Sequence, residues 1–372
     1  MKKAISLLIL LSIYFFSFSQ TQIFTNKYQE FAMFVSGQEF PSSIDTTKIK
    51  TDFWKKYKEK LNVDWLEIDT SRLSVMQEWQ MNEISTKIND TLNLLYPFSG
   101  PDFLHAYLLF PNAKNYLLLA QEHLGKIPDF SKMKQVELEQ FLDKFYFSIR
   151  DIFQRSYFIT NRMNTDLNNS SLQGVLPVIL FFLAKTEHSI VDVKYEKLTT
   201  SLDFQEFTTN PSGVFSSGES IIIKFFNNSD TTKQIKSLRY FRCDISDEGL
   251  KNAPNFSKFL SNQTQINSYT KSASYCLHNS NFSIIRNIML KNSDAILQDD
   301  TGIPYRFFTI LEWTPFLFGK YEKPIADFKG DYLIQNDLMK KYELEIDIYP
   351  LPFSLGYHWK TGAQNQMLFI KK

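Results

Sequence analysis

The sequence predicts an α/β fold with a mixed, mostly parallel central sheet and helices on its faces. Short apolar runs of strand length alternate with amphipathic helical patterns, which is typical of layered α/β proteins. The stretch 92–122 has the order strand, tight turn, helix, strand, which predicts a Rossmann-like βαβ unit with a parallel strand pair. The 372 residues include 43% hydrophobic side chains and 35 Phe, enough apolar material for a large core.

The first residues have the layout of a secretory signal peptide. Lys2 and Lys3 are followed by an apolar run over residues 4–18, and Ser17 and Ser19 put small residues before a cut ahead of residue 20. The run is shorter than the roughly 20 apolar residues that span a bilayer. We therefore expect residues 1–19 to be removed, with a periplasmic or extracellular destination and no membrane span after cleavage.

The charge balance argues against nucleic acid as a partner. Without residues 1–19 the chain carries 39 basic and 40 acidic side chains, and no basic cluster stands out. The sequence leaves the cofactor unknown, and the expected partner is an unknown ligand or a protein of the cell envelope.

A helical section is expected at residues 20–90, packed on one α/β domain at 91–372. Trp54, Leu61 and Trp65 recur at helical spacing, and the pattern resumes after a break near Asp69. The cluster 69–71 (Asp-Thr-Ser) is expected to cap the second of these helices.

The remaining elements follow from periodicity and turn signals. The aromatic and proline-rich stretch after residue 316 predicts antiparallel strands at an edge of the sheet. Predicted strands are 92–98, 116–120, 190–195, 221–226, 238–243 and 295–297, and predicted helices are 101–110, 138–153, 175–184, 256–266 and 284–290.

The turn after the first strand is the first candidate site. Ser99, Gly100 and Asp102 lie where strand gives way to helix, and Glu122 follows the second strand. Dinucleotide and S-adenosylmethionine folds have a glycine turn and a ribose-binding acid in these places. A capped structural turn explains the same residues, with Ser99 or Gly100 as the cap, Pro101 at the first helical position and Asp102 complementing the helix dipole.

The second candidate site is the turn after the strand at 295–297. Asp299 and Asp300 form a carboxylate pair that suits general acid and base chemistry, with Tyr305 and Arg306 as substrate-binding candidates. The sequence Asp-Asp-Thr-Gly is also ordinary turn chemistry, since Asp accepts local backbone hydrogen bonds.

Cysteine and histidine give no metal pattern. Cys243 and Cys276 either pair in an oxidising compartment or remain two separate buried thiols. The five histidines lack zinc-ligand spacing, although His105 lies one helical turn from Asp102. No serine belongs to a Gly-x-Ser-x-Gly motif.

The runs Tyr-Pro-Phe-Ser-Gly-Pro-Asp-Phe at 96–103 and Gln-Asp-Asp-Thr-Gly-Ile-Pro-Tyr at 298–305 carry a family resemblance. They resemble signatures of an uncharacterised family of exported bacterial proteins of Bacteroidota type. The resemblance implies one folded unit with two polar turns, and it implies no established activity.

These observations lead to three hypotheses of function. The first is a cofactor-free binding or enzyme-like protein of the cell envelope whose pocket is built by both turns, which we therefore expect at one end of the sheet. The second is a carboxylate-dependent hydrolase of an envelope polymer. The third is a degenerate methyltransferase-like domain. The candidate catalytic residues are Asp299, Asp300 and Asp102, and the candidate binding residues are Ser99, Gly100, Glu122, Tyr305 and Arg306.

Overall fold

The fold is α/β, with a ten-stranded mixed sheet and helices on both of its faces. The structure is a computed structural model that describes residues 26–38, 51–157, 174–208, 218–344, 348–359 and 362–372. The expected signal peptide lies outside the described residues. Within those ranges, no helix is both long enough and apolar enough to cross a lipid bilayer.

The strands run in the spatial order β4-β3-β5-β6-β2-β1-β7-β8-β10-β9. Their bounds are β1 (Asn93–Pro97), β2 (Asn115–Ala120), β3 (His188–Leu198), β4 (Phe204–Glu206), β5 (Glu219–Asn227), β6 (Lys236–Arg242), β7 (Ile266–Thr270), β8 (Ser293–Gln298), β9 (Trp313–Gly319) and β10 (Asn365–Lys371).

Helices lie in several of the connections between strands and in the section before β1. Their bounds are α1 (Lys27–Val35), α2 (Asp52–Ile68), α3 (Ser74–Trp79), α4 (Phe103–Leu109), α5 (Gln135–Arg155), α6 (Leu176–Lys185), α7 (Asp247–Asn252), α8 (Pro254–Ser261), α9 (Ser283–Asn292) and α10 (Asn336–Leu344).

The prediction of a mostly parallel sheet is wrong. The five central strands β6, β2, β1, β7 and β8 are parallel neighbours. Five of the nine neighbouring pairs in the described sheet are antiparallel, because β3, β4 and β5 extend one side and β9 and β10 the other. Alternation of apolar residues predicts strands but carries no information on their direction. The antiparallel strands expected after residue 316 at an edge are confirmed.

The two faces of the sheet bury separate apolar cores because side chains alternate along each strand. On β1, Leu94 and Tyr96 face the core shared with α1 to α6, whereas Leu95 faces the core shared with α7 to α10. The section before β1 joins the first core. Trp79 of α3 packs edge-to-face on Phe318 of β9, with ring centroids 5.0 Å apart.

The helix that begins at Asp52 continues without interruption to Ile84, although the sequence predicts a break near Asp69. A π-helical turn (Asp69–Leu73) links α2 to α3, and a second one (Gln80–Ile84) follows α3. The expected cap near Asp69 is therefore wrong. The hydroxyls of Thr70 and Ser71 instead donate to carbonyl oxygens of the preceding turn, those of Leu66 and Glu67. Such bonds do not compete for the N–H groups of the helix, although they often bend it.

The strand β7 is absent from the sequence prediction, which extends a helix to residue 266. The helix α8 ends at Ser261, and β7 then pairs in parallel with β1 and β8. All five β7 residues are buried although three are polar. Two of them have side-chain partners: the Ser268 hydroxyl lies 2.7 Å from that of Ser293, and Nδ2 of Asn267 donates to the carbonyl oxygen of Asn89.

The strand β1 is the point from which the chain winds in two directions. It pairs with β2, which leads outward to β6, and on its other side with β7, which leads outward to β8. In open α/β sheets, ligands bind in the crevice beyond the carboxyl ends of the strands at such a reversal. The relevant crevice lies between the ends of β1 and β7.

Candidate functional site

A cleft of about 240 Å³ lies at the carboxyl ends of β1, β2, β6 and β7. Its walls come from the last residues of β1 and β2 and from the segments that follow the four strands, together with three aromatic residues from elsewhere, Tyr157, Phe282 and Tyr357. The cleft is therefore located at the reversal of strand order beside β1.

The turn after β1 forms one wall of the cleft. Phe98 and Gly100 both have positive φ, 59° and 53°, and Ser99 lies buried between them. The backbone N–H of Ser99 donates to the carbonyl oxygen of Leu119 at the end of β2. A positive φ is unfavourable for a bulky residue such as Phe98, so the fold holds this turn in a strained shape.

Asp102 is the N-cap of α4, which differs from the expected cap at Ser99 or Gly100. Its Oδ1 accepts the backbone N–H of His105 at 3.2 Å, and the helix begins at Phe103 rather than at Pro101. Asp is a favoured N-cap residue because its carboxylate satisfies an otherwise unpaired N–H group.

The Asp102 carboxylate is also the centre of a buried network. Its Oδ1 lies 2.8 Å from Nδ1 of His105, and its Oδ2 accepts Nζ of Lys271 at 2.6 Å and the hydroxyl of Tyr96 at 2.9 Å. The Lys271 ammonium also donates to the carbonyl oxygen of Ser156, at the end of α5. These contacts join the end of β1, the end of β7 and the end of α5.

The protonation states of this network follow from burial and charge. Burial alone would raise the pKa of Asp102, but His105 and Lys271 outweigh it and hold that pKa well below its usual value. Burial lowers the pKa of His105 to about 4 and also lowers the pKa of Lys271. At neutral pH the histidine is therefore uncharged, and its Nδ1–H donates to the ionised carboxylate.

Glu122 lines the cleft two residues after β2. It is 4% exposed, and the hydroxyl of Tyr240 on β6 lies 3.2 Å from its Oε2 and 3.0 Å from its carbonyl oxygen. The neighbouring strand thus holds this carboxylate at the end of the sheet. A fixed carboxylate is an acceptor for ligand O–H or N–H groups.

Asp299 lies behind the loop that follows β7 and does not line the cleft. Its Oδ2 accepts the backbone N–H of Ser272 at 2.9 Å, and its Oδ1 accepts the N–H and hydroxyl of Thr301 at 3.0 and 2.5 Å. Burial and the neighbouring charge of Asp300 raise the pKa of Asp299 to about 6. The bonds of this carboxylate to Thr301 are those of a structural turn, and its bond to Ser272 connects that turn to the loop after β7.

Asp300 is equally enclosed. Its Oδ1 lies 2.6 Å from Nε2 of His358 and accepts Nδ2 of Asn365 at 3.1 Å, while its Oδ2 accepts the hydroxyl of Tyr275 at 2.6 Å. Burial would lower the pKa of His358, but the Asp300 carboxylate outweighs burial and raises it. Asp300 therefore ties β10 and the segment around residue 358 to the loop after β7.

Tyr305 and Arg306 lie outside the cleft lining. The Tyr305 backbone N–H donates to Oε1 of Gln335, and its ring packs against Phe369 at a centroid distance of 6.0 Å. The exposed Arg306 guanidinium lies over the ring of Phe307 at 5.1 Å. The structure thus brings Ser99, Gly100, Asp102 and Glu122 together in the cleft but not Asp299, Asp300, Tyr305 or Arg306.

The two polar turns do lie at the same end of the sheet. Consecutive residues connect them, since Lys271 contacts Asp102 of the first turn and Ser272 contacts Asp299 of the second. The second turn supports the cleft wall from behind and does not form it. The expectation of a common location holds, whereas the expectation that both turns line one pocket does not.

The loop after β7 is the part of the site that sequence reasoning missed. Lys271, Ser272 and Ser274 line the cleft, and Ser272, Ser274 and Tyr275 all have positive φ between 52° and 57°. With Phe98, these are four of the nine non-glycine residues with positive φ in the described chain. Backbone strain of this kind clusters at binding and catalytic sites. Sequence analysis missed this loop because the polar residues of β7 gave no strand pattern, so no strand end was predicted before Lys271.

Both cysteines line the cleft as free thiols. Cys243 is buried just after β6, and Cys276 is partly exposed in the loop after β7. Burial raises the pKa of each thiol. The sequence left open whether Cys243 and Cys276 form a disulfide, and in the structure they are separate thiols.

No group of three or more His, Cys, Asp and Glu side chains suited to a metal ion occurs among the described residues. No family model, curated protein or solved structure matches this chain.

Proposed function

We propose that this protein is an exported protein of the bacterial cell envelope that binds a small polar molecule in the cleft beside β1. One observation carries the proposal. The cleft lies at the carboxyl ends of four parallel strands, at the reversal of strand order where α/β sheets bind their ligands. The strained backbone of its two loops supports the same proposal, because such strain persists only where the surrounding structure maintains it.

We also infer that β1, α4 and β2 form a Rossmann-like unit. The support is the parallel pairing of β1 with β2 across a short helix, with further parallel strands on both sides. Gly100 in the first turn and Glu122 after β2 occupy the places of the glycine turn and the acid of that unit. A degenerate methyltransferase-like domain is the second candidate, favoured by the open cleft beside Gly100.

The hydrolase hypothesis has less support. Asp299 and Asp300 are each 1% exposed, and neither lines the cleft. A general acid has to come within hydrogen-bond reach of its substrate. The carboxylate oxygens of both residues instead accept bonds from neighbouring loops.

A ligand screen with a blocked cleft tests the proposed function. Gln121 is exposed and lines the cleft, so a Gln121→Trp substitution fills the opening at little cost to folding. Gln140, exposed on α5 and absent from the lining, provides the matched control Gln140→Trp. Melting temperatures are measured with sugars, nucleosides, amino acids, cell-wall fragments and S-adenosylmethionine.

We expect at least one compound to stabilise the native protein and the control but not the blocked variant. At a hundred times its dissociation constant, a ligand stabilises by about 2.7 kcal/mol, which is readily measured. The proposal fails if no compound has this effect, or if stabilisation persists with the cleft blocked. A response to S-adenosylmethionine alone would favour the methyltransferase-like candidate.

A further inference from the structure

A turn directly before β9 exposes two apolar side chains next to each other. Ile310 and Leu311 are 74% and 84% exposed, the highest values among the large hydrophobic residues of the described chain. Apolar residues scattered singly over a surface need no explanation, whereas contiguous ones indicate an interaction site. We call residues 309–312 the apolar turn.

The fold holds the apolar turn in its exposed position. The residues on its two sides are buried, Phe308 at 8% and Trp313 at 2% exposure. The ring of Phe308 stacks on that of Phe369 in β10, with centroids 3.5 Å apart. Within the turn, the carbonyl oxygen of Thr309 accepts the backbone N–H of Trp313 at 2.9 Å. Because both ends are anchored, the two apolar side chains between them stay outside the core.

Lysine side chains lie at the base of the apolar turn. The ammonium group of Lys372 donates to the carbonyl oxygen of Ile310. Lys371 of β10 pairs with Trp313 of β9, and its ammonium group donates to the carbonyl oxygen of Lys291 in the last turn of α9. All three lysines are exposed. Positive charge therefore lies directly beside an apolar projection.

Two acidic side chains lie in the same region. Glu312 belongs to the turn, and its Oε2 accepts the hydroxyl of Thr309 at 3.2 Å. Asp294 directly precedes Ala295, which pairs with Ile370 of β10. The three lysines and these two acids leave an excess of one positive charge. Lysine carries its charge on a long flexible stem, so its ammonium group extends further from the backbone than these carboxylates do.

An apolar projection with ammonium groups at its base is suited to the surface of a membrane that contains anionic lipids. At such a surface, apolar side chains enter the boundary between headgroups and acyl chains, and lysines remain at the level of the headgroups. Contact with the same turn of a second copy would bring lysines of like charge together, which opposes that pairing. The charge beside the turn therefore favours lipid.

We propose that the protein docks on membranes containing anionic lipids by inserting Ile310 and Leu311, with Lys371 and Lys372 at the level of the headgroups. The strand β9 runs in the same direction as β8, since both are antiparallel to β10. The apolar turn therefore lies at the amino end of the parallel strands, whereas the cleft lies at their carboxyl end. Docking by this turn keeps the cleft at the end of the sheet away from the lipid.

Vesicle flotation tests the inference. The protein is mixed with vesicles of equal parts phosphatidylglycerol and phosphatidylcholine, or of phosphatidylcholine alone, and the bound fraction is measured against lipid concentration. One double variant, Ile310→Ser with Leu311→Ser, removes the apolar side chains. A second, Lys371→Gln with Lys372→Gln, removes the charge beside them. All proteins have the same N-terminus, so any contribution of the apolar run at 4–18 is common to them.

The matched control changes an exposed apolar pair elsewhere on the surface. Val63 and Leu66 of α2 are 61% and 62% exposed, and Asp64 and Glu67 directly follow them in sequence. The double variant Val63→Ser with Leu66→Ser removes a similar apolar area from acidic surroundings. Melting temperatures are measured for every variant, and they should change little because all substituted side chains are exposed.

We expect the native protein to bind the vesicles with phosphatidylglycerol more tightly than those without it. The loss of both apolar side chains should weaken this binding by roughly tenfold or more, because their transfer out of water is lost. The loss of both lysines should also weaken it by roughly tenfold or more, and added salt should reduce the difference. The control pair on α2 should bind as the native protein does.

The inference fails on any of three results. The first is a native protein that does not prefer the anionic vesicles. The second is binding that survives the loss of Ile310 and Leu311, or that depends equally on the pair in α2. The third is a lipid-free oligomer, detected by light scattering, that the variant of the apolar turn dissociates, since the turn is then a contact between copies. The proposed cleft function is tested separately, and Gln121→Trp should bind vesicles as the native protein does.

Discussion

Replacing Lys271 with methionine would test whether the ion pair in the crevice holds the fold together. The side chains of Lys271 and Asp102 are 2% exposed, and their atoms Nζ and Oδ2 are 2.6 Å apart. Methionine has a similar length and no charge. The substitution leaves the Asp102 carboxylate buried with bonds from only Tyr96 and His105.

The expected loss of stability follows from this burial. Removing one partner of a buried ion pair leaves an uncompensated charge in a medium of low polarity, which costs about 3–5 kcal/mol. In urea denaturation, a loss of this size lowers the midpoint by about 1 M or more. Midpoints are measured by tryptophan fluorescence at pH 7, where Asp102 is ionised in the folded and in the unfolded chain.

A second variant separates charge from shape. In the double variant Lys271→Met with Asp102→Asn, both members of the pair are uncharged, so we expect it to be more stable than the single Lys271→Met variant by about 2 kcal/mol. The exposed pair of Lys194 with Glu206 provides the control, and Lys194→Met should leave the midpoint unchanged. The reasoning is refuted if Lys271→Met unfolds at the native midpoint, or if the double variant is no more stable than the single one.

Two further predictions concern titrating groups of the site. The pKa of His105 is about 4 in the folded protein and about 6.5 in the unfolded chain. Between these values the unfolded chain binds the extra proton, so stability should decrease by up to about 3 kcal/mol as the pH is lowered from 6.5 to 4. Urea titrations should show a shallower fall for His105→Gln, and an equal slope would contradict the assignment. Partly exposed Cys276 should react with iodoacetamide before buried Cys243. Its reaction should become faster at higher pH, because the thiolate is the reactive form and burial raises the pKa of this thiol. A ligand bound in the cleft should slow the reaction. Equal labelling of both thiols in mass spectra of the folded protein, or labelling that a bound ligand leaves unchanged, would contradict the geometry.

The apolar strands were accessible from sequence because their composition matches their burial. The runs at 221–226 and 238–243 correspond to β5 and β6, which supply fully buried Ile, Leu, Tyr and Phe side chains. Their direction was not accessible, because the same alternation fits parallel and antiparallel neighbours. The sequence therefore predicted the layers and much of the strand set but not the antiparallel wings of the sheet.

The candidate site was predicted in part for the same reason. Ser99, Gly100, Asp102 and Glu122 follow strands that the pattern reveals, and all four line the cleft. Lys271 follows β7, whose residues Asn267, Ser268 and Thr270 are polar yet buried. Asn267 and Ser268 bond to partners distant in sequence, the carbonyl oxygen of Asn89 and the hydroxyl of Ser293, and local pattern analysis does not include such partners.

The Asp299–Asp300 pair shows the opposite error. Adjacent acids after a strand look like a reactive pair, but the structure turns their carboxylates toward Ser272, Tyr275 and His358. Their function in the fold is to connect loops. Polar composition at the end of a strand indicates where hydrogen bonds are needed, and it does not tell whether a ligand or the protein itself makes them.

The central position of β1 also has a consequence for the order in which the chain folds. One edge of β1 pairs with β2, only 18 residues further along at the nearest ends, whereas the other edge waits for β7, which begins at residue 266. The bond between Asp102 and Lys271 closes a separation of 169 residues. Long-range pairing of this kind is slow, and an unpaired strand edge promotes aggregation. While the chain emerges from the ribosome, the unpaired edge of β1 in the middle of the future sheet is therefore the edge most exposed to aggregation.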